Sequence, residues 1–77
     1  MVDVVCACVL IRLEAGKARE TLERVRGVEG VKEVFPVFGR FDAVAFIEGK
    51  DYEEVTSITD RINSLEGVRN TETLVEA

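Results

Sequence analysis

Two short stretches of this 77-residue chain gather side chains that can do chemistry. The first is Cys6-Ala7-Cys8, the second Gly39-Arg40-Phe41-Asp42. On a strand, residues two apart share a face, so Cys6 and Cys8 would present two sulfurs side by side. A zinc site needs further ligands, but the sequence has no other Cys and no His, so no metal is expected. An iron–sulfur cluster is excluded because it needs more thiolates than the chain has. The pair reads as small buried hydrophobes. In the second stretch, Gly39 tolerates a positive φ that lets backbone amides approach a ligand. An ionised Asp42 only accepts hydrogen bonds and suits an ammonium group. Arg40 can grip a carboxylate with two parallel bonds. The same residues also make an ordinary turn, with Gly39 at the bend, Asp42 bonding local amides and Arg40 in solvent. Without His, the usual neutral-pH acid–base group is missing.

The elements that must position these residues follow from composition and periodicity. A chain this short is one domain, spanning residues 1–77, and buries only about 60% of its unfolded surface, so it is marginal as a lone monomer. Hydrophobic content of 47% with 32% charged residues fits a compact globular domain. A net charge of −5 with no basic run argues against direct nucleic-acid binding or an anionic membrane. The apolar start is too short to span a bilayer and lacks a signal peptide's basic end. With two Cys only, the expected compartment is the cytoplasm.

Val2 to Leu13 reads as a strand covered on both faces. Lys17 to Arg26 switches to helical spacing, with Ala18, Thr21, Leu22 and Val25 on one stripe and Gly27 at the end. Val31 to Phe38 is a second strand whose Pro36 suits an edge. Gly39-Arg40 turns the chain into an antiparallel third strand, Phe41 to Glu48. Asp51 with Glu54 is a capping pair for a helix carrying Val55, Ile58, Ile62 and Leu65, which ends at Gly67. Val68 to Val75 is the last strand.

The order βαββαβ repeats internally. A shift of 37 positions lays Val28-Glu29-Gly30-Val31-Lys32 on Leu65-Glu66-Gly67-Val68-Arg69, and Thr21 and Val25 on Ile58 and Ile62. Right-handed crossovers then put the first and third strands at the centre of a ferredoxin-like α+β fold, sheet order 4-1-3-2, with two helices on one face. Those helices leave the other sheet face open, yet both alternate sets of the central strands are apolar. The first strand carries Val5, Ala7, Val9 and Ile11 against Val4, Cys6, Cys8 and Leu10, and the third carries Phe41, Ala43, Ala45 and Ile47 against Val44 and Phe46. Such a patch exceeds what a monomer ordinarily exposes, so a homodimer packed sheet on sheet is expected.

Three stretches resemble one known family. Val37-Phe38-Gly39-Arg40-Phe41-Asp42-Ala43-Val44 looks like the V-x-G-x-x-D hairpin of the effector-binding (RAM) domain of Lrp/AsnC transcription regulators. Gly27 to Val34 looks like its G-V-x-x-V helix-to-strand junction, and Ile62 to Thr73 like its I-x-x-L-x-G-V-x-x-T-x-T ending. The resemblance implies dimers that assemble further into rings. It also implies a small effector, typically an amino acid, near the loop between strands two and three. By position, Gly39, Arg40, Phe41 and Asp42 would line that site, joined by Thr71 and Thr73. Family members that regulate transcription carry an N-terminal helix-turn-helix domain. This sequence enters its first strand directly after Met1 and so looks like a stand-alone version without a DNA-binding domain, able to meet a full-length relative.

The expectation is a non-catalytic effector-binding and oligomerisation module without a cofactor. The alternatives keep the fold and change the use. A ligand-free scaffold would associate in the same way. An acylphosphatase-like enzyme would need a glycine-rich anion loop after the first strand, which Arg12 lacks. An RNA-recognition module would need a stacking aromatic motif in a basic setting.

Overall fold

A computed structural model describes residues 3–76. The expected start of the first strand at Val2 lies outside them. The order is β1 (Val5–Leu13), α1 (Ala18–Arg26), β2 (Val31–Pro36), β3 (Ala43–Gly49), α2 (Tyr52–Asn63) and β4 (Val68–Val75). The strands form one sheet in the order β2-β3-β1-β4, with every neighbouring pair antiparallel. This is the ferredoxin-like βαββαβ arrangement read from the sequence, with β1 and β3 at the centre. Among the described residues, no helix is long and apolar enough to cross a membrane.

One face of the sheet makes the core. Ala7, Val9, Ile11 and Leu13 of β1 and Ala43, Ala45 and Ile47 of β3 are buried against Val25 of α1 and Val55, Ile58 and Ile62 of α2. The α1 stripe differs from expectation at one position, because Ala18 is exposed and Thr21 is fully buried. Thr21 tolerates burial because its hydroxyl donates to the Lys17 carbonyl at 2.7 Å. At the start of α2, Asp51 Oδ1 accepts from the Glu54 N–H at 2.8 Å, and Glu54 Oε1 accepts from the Lys50 N–H at 2.7 Å. The cap is therefore reciprocal, but its return bond reaches one residue before Asp51.

The 37-residue repeat is visible in the packing. Gly30 and Gly67 both have left-handed φ, +99° and +98°. A Cβ on Gly30 would overlap Ile58, and one on Gly67 would overlap Thr21. Since Thr21 and Ile58 are themselves 37 apart, each half plants its glycine under the other half's helix. Both edge strands also carry an extra residue at their second position, Lys32 in β2 and Arg69 in β4, where the register slips by one.

The strand ends fall short of the sequence reading. β2 stops at Pro36 instead of Phe38, and β3 begins at Ala43 instead of Phe41. Pro36, on the edge strand as expected, has no N–H to give, and the final hairpin bond runs from the Val37 N–H to the Asp42 carbonyl at 3.0 Å. Residues 38–41 thus form a loop outside the ladder.

Candidate functional site

The 38–42 loop is tied to the sheet by Asp42. β3 begins only at Ala43, opposite Ile11, so β1 runs on past its partner. Asp42 completes that side. Its N–H donates to the Ile11 carbonyl at 2.8 Å, and its Oδ2 accepts from the Leu13 N–H at 2.8 Å. The side chain supplies the acceptor that a continuing strand would have supplied, so Asp42 bonds an amide of β1 and not one of its own turn. No hydrogen bond involves Oδ1 among the described residues.

The rest of the loop is open. Gly39 has φ +129°, with no atom within 4 Å of where a Cβ would stand. Arg40 is exposed and makes no ion pair among the described residues. Phe41 is half-buried beneath Arg12, whose guanidinium carbon lies 5.8 Å from the ring centroid, a cation–π spacing. Phe38 is fully exposed, with a relative accessibility of 105%. Sequence reasoning placed Phe38 at the end of a strand and did not count it in the site. The signal that would have found it is Pro36, which ends the ladder before Phe38 and leaves the ring on the loop.

Thr71 and Thr73 are not gathered with the hairpin. They pair with Ile11 and Val9 on the β4 side of β1, so their side chains share the helix-covered face with those buried residues. Arg12, which holds Phe41, belongs to the opposite set of β1 residues. Thr71 Oγ1 instead reaches Asn63 Oδ1 at 3.3 Å.

The open sheet face is apolar along its two central strands and carries Glu33 and Glu72 on its edge strands. Register places Phe35, Val44, Leu10 and Glu72 side by side, and next to them Glu33, Phe46, Cys8 and Leu74. Phe35 and Phe46 pack with ring centroids 5.7 Å apart, yet stay 39% and 41% exposed, and Leu74 is 52% exposed. A shallow depression of about 330 Å³ lies among Cys6, Cys8, Phe46, Leu74 and Glu76. Cys6 is exposed, and partial desolvation followed by the Glu76 and Glu48 charges pushes its thiol pKa up. Burial does the same for Cys8. Neighbours of this kind on a strand stand roughly 7 Å apart, too far for a disulfide within the chain. Among the described residues, no three His, Cys, Asp or Glu side chains converge as metal ligands.

Two other depressions, of about 360 and 300 Å³, lie along β2 and between β2 and α2. None of the three is lined by residues 39–42, Thr71 or Thr73. The hairpin therefore lies apart from these three depressions.

Comparison with known proteins places this geometry. Residues 6–76 match the family described as the Lrp/AsnC ligand binding domain. The HTH-type transcriptional regulator FL11 of Pyrococcus furiosus is 32% identical over 71 residues, covering 92% of this chain and 47% of that protein. FL11 of Pyrococcus abyssi is 36% identical over 69 residues, covering 90% of this chain and 46% of that protein. The chain thus spans about half the length of the curated relatives it matches. Among solved structures, TTHA0845 from Thermus thermophilus superposes with a TM-score of 0.89 at 38% identity, covering 95% of this chain and 92% of that one. AsnC of E. coli shares the fold with a TM-score of 0.85 at 19% identity, covering 97% of this chain and 51% of AsnC.

Proposed function

The chain belongs to the Lrp/AsnC ligand-binding-domain family, and on that footing we propose that it binds a small effector, an amino acid, at a junction between copies of itself. The observation that carries this reading is the 38–42 hairpin. It holds a fully exposed Phe38 beside Arg40, which makes no ion pair among the described residues, on a loop fixed to the sheet by Asp42. An exposed aromatic next to a free guanidinium is the composition of an interface core. A binding loop works best when held by a rigid scaffold. In this reading a second copy supplies the opposite wall, since the three depressions of a single chain lie elsewhere.

Association proceeds in two steps in this reading. The open faces pair first, burying Phe35, Phe46, Leu10 and Leu74, and give a homodimer. The hairpin tips then meet between dimers and give a ring. At that contact Arg40 takes the effector carboxylate, Asp42 Oδ1 takes its ammonium group, and the bare backbone at Gly39 lets amides approach. Phe41, held under Arg12, forms the apolar wall. The module has no catalytic step. Effector binding shifts the population of assembly states by its differential affinity for them. A full-length relative with a DNA-binding domain is a partner that would carry this shift to transcription in the cytoplasm.

Asp42 favours a second reading, a scaffold without a ligand, since its Oδ2 is already committed to Leu13. Isothermal titration of the assembled protein with each of the common amino acids separates the two. The effector reading expects saturable heat with at least one of them, weakened by Arg40→Ala. An absence of heat with all of them, while sedimentation shows the assembly intact, leaves the scaffold.

A further inference from the structure

The depression between β2 and α2, about 300 Å³, shares no residue with the hairpin. It is lined by Glu29, Gly30, Lys32, Glu48, Glu54, Ser57, Ile58 and Arg61. The internal repeat supplies its own control. Shifting by 37 positions maps Glu29 onto Glu66, Glu54 onto Lys17, Ser57 onto Glu20 and Arg61 onto Arg24.

In the other half these charges satisfy one another. Lys17 Nζ lies 3.7 Å from Glu66 Oε2, and Arg24 lies 4.0 Å from Glu20 and donates to the Glu66 carbonyl at 3.2 Å. In the cleft, each of those pairs has been replaced. Glu54 stands where Lys17 would answer Glu29, and Ser57 stands where Glu20 would answer Arg61. Glu29, Lys32, Glu48 and Arg61 make no ion pair among the described residues. Lys32 is the extra residue of the β2 bulge, a position at which strands re-aim a side chain. Two cations and three carboxylates therefore surround a cleft floored by Gly30, where a side chain would collide with Ile58.

We propose that this cleft is a second ligand site, for a small zwitterion of net positive charge. Its carboxylate lies on Arg61 and Lys32, and its ammonium groups on Glu29 and Glu48. The lining carries one more negative than positive charge, which a cationic zwitterion balances and a plain anion does not. The volume is at the small end of the range for small-molecule sites.

The test is titration of the full chain with L-ornithine, followed by amide proton–nitrogen NMR spectra. Saturable shifts are expected at Gly30, Lys32, Ser57 and Arg61, and they persist in Arg40→Ala, which separates them from any binding at the hairpin. Ser57→Glu restores to Arg61 the acid four residues earlier that Arg24 has. Arg61→Gln removes the guanidinium. Both positions are exposed on α2, so the fold is kept. Each variant should weaken binding about tenfold or more, the loss expected for one charge-assisted hydrogen bond. 1,4-Diaminobutane, which lacks the carboxylate, should bind at least about tenfold more weakly on the same ground. No shift around the cleft up to millimolar ornithine overturns the proposal. So does unchanged affinity in both variants, or equal binding of the diamine.

Discussion

Replacing Asp42 by Ala removes the acceptor for the Leu13 N–H and leaves that amide, part-buried beside the sheet, without a partner. A hydrogen bond to a charged group contributes about 1.5–3 kcal/mol, and the stranded donor carries the desolvation cost within that figure. For a domain of this size each kcal/mol moves Tm by roughly 4–8 °C, so Asp42→Ala should lower it by roughly 6–24 °C. The loss is a large share of the total, about 4–12 kcal/mol for 77 residues. Asp42→Asn keeps a carbonyl oxygen in the same place and exchanges a charged acceptor for a neutral one. It should lose about 1 kcal/mol, the difference between the two bond classes. The assay is thermal unfolding of all three proteins at one concentration, because association makes Tm concentration-dependent. If Asn and Ala are equally damaging, or if Ala is harmless, the Oδ2–Leu13 bond does not hold the loop as described. The pair also decides how ligand binding must be tested. Asp42→Ala would lower affinity by loosening the loop whether or not Asp42 meets an effector, whereas Asp42→Asn removes the charge with the loop in place.

Three further outcomes are expected. Gly67→Ala and Gly30→Ala each force a left-handed backbone at about 1–2 kcal/mol and overpack the facing helix at about 1–3 kcal/mol, whereas Gly16→Ala, with open space around it, meets only the backbone cost; equal melting temperatures for Gly16→Ala and Gly67→Ala would refute the reciprocal packing. Phe46→Glu sets a charge in the middle of the open face and should shift sedimentation at micromolar concentration from dimer to monomer while helix and strand content by circular dichroism stays unchanged; a dimer that survives it is held by another surface. The folded state holds the Cys6 and Cys8 protons more tightly than an unfolded chain does, so their contribution to stability is whole below the ordinary thiol range and is lost as pH rises through their raised values. Iodoacetamide should accordingly react more slowly than with a small free thiol near neutral pH and catch up only in alkaline buffer, and rates matching the free thiol at pH 7 would contradict this.

Most of the architecture was legible because hydrophobic period and local chemistry agree. Alternation in β1 and β3, the helical stripe of α2 and the Asp51–Glu54 cap all point to one topology, and the repeat points to it independently. The misreadings have specific causes. Spacing puts Ala18 and Thr21 on one stripe, but only Thr21 is buried, its hydroxyl satisfied within the helix and its side chain set against Gly67. Phe38 and Phe41 fit a strand by their apolar character, but the last hairpin bond is that of Val37 to Asp42 and both rings lie on the loop beyond it. The role of Asp42 was illegible for a different reason. Its partner amide is 29 residues away, and no local pattern announces a bond of that separation. Thr71 and Thr73 join the hairpin only through the resemblance, and within one chain their register sets them on the helix-covered face.

The repeat offers a general reason to look for function where its two halves differ. Positions that both halves need for folding are alike: the glycines Gly30 and Gly67 with left-handed φ, the bulged Lys32 and Arg69, and the buried Val25 and Ile62 of the helices. Fold stability does not require Ser57 where the other half has Glu20, or Glu54 where it has Lys17, since the pairs lost are exposed ones that contribute about 0–1 kcal/mol each. Glu54 has a use at the start of α2, where it bonds the Lys50 amide. Ser57 has no such bond among the described residues, and it leaves Arg61 without an acid three or four residues away along the helix, the spacing at which Arg24 has Glu20. The 38–42 loop is likewise the connection between the halves, and there the unpaired Arg40 and the bare Phe38 ring stand. On the readings proposed above, a second copy would meet the hairpin and a small charged molecule would fill the cleft.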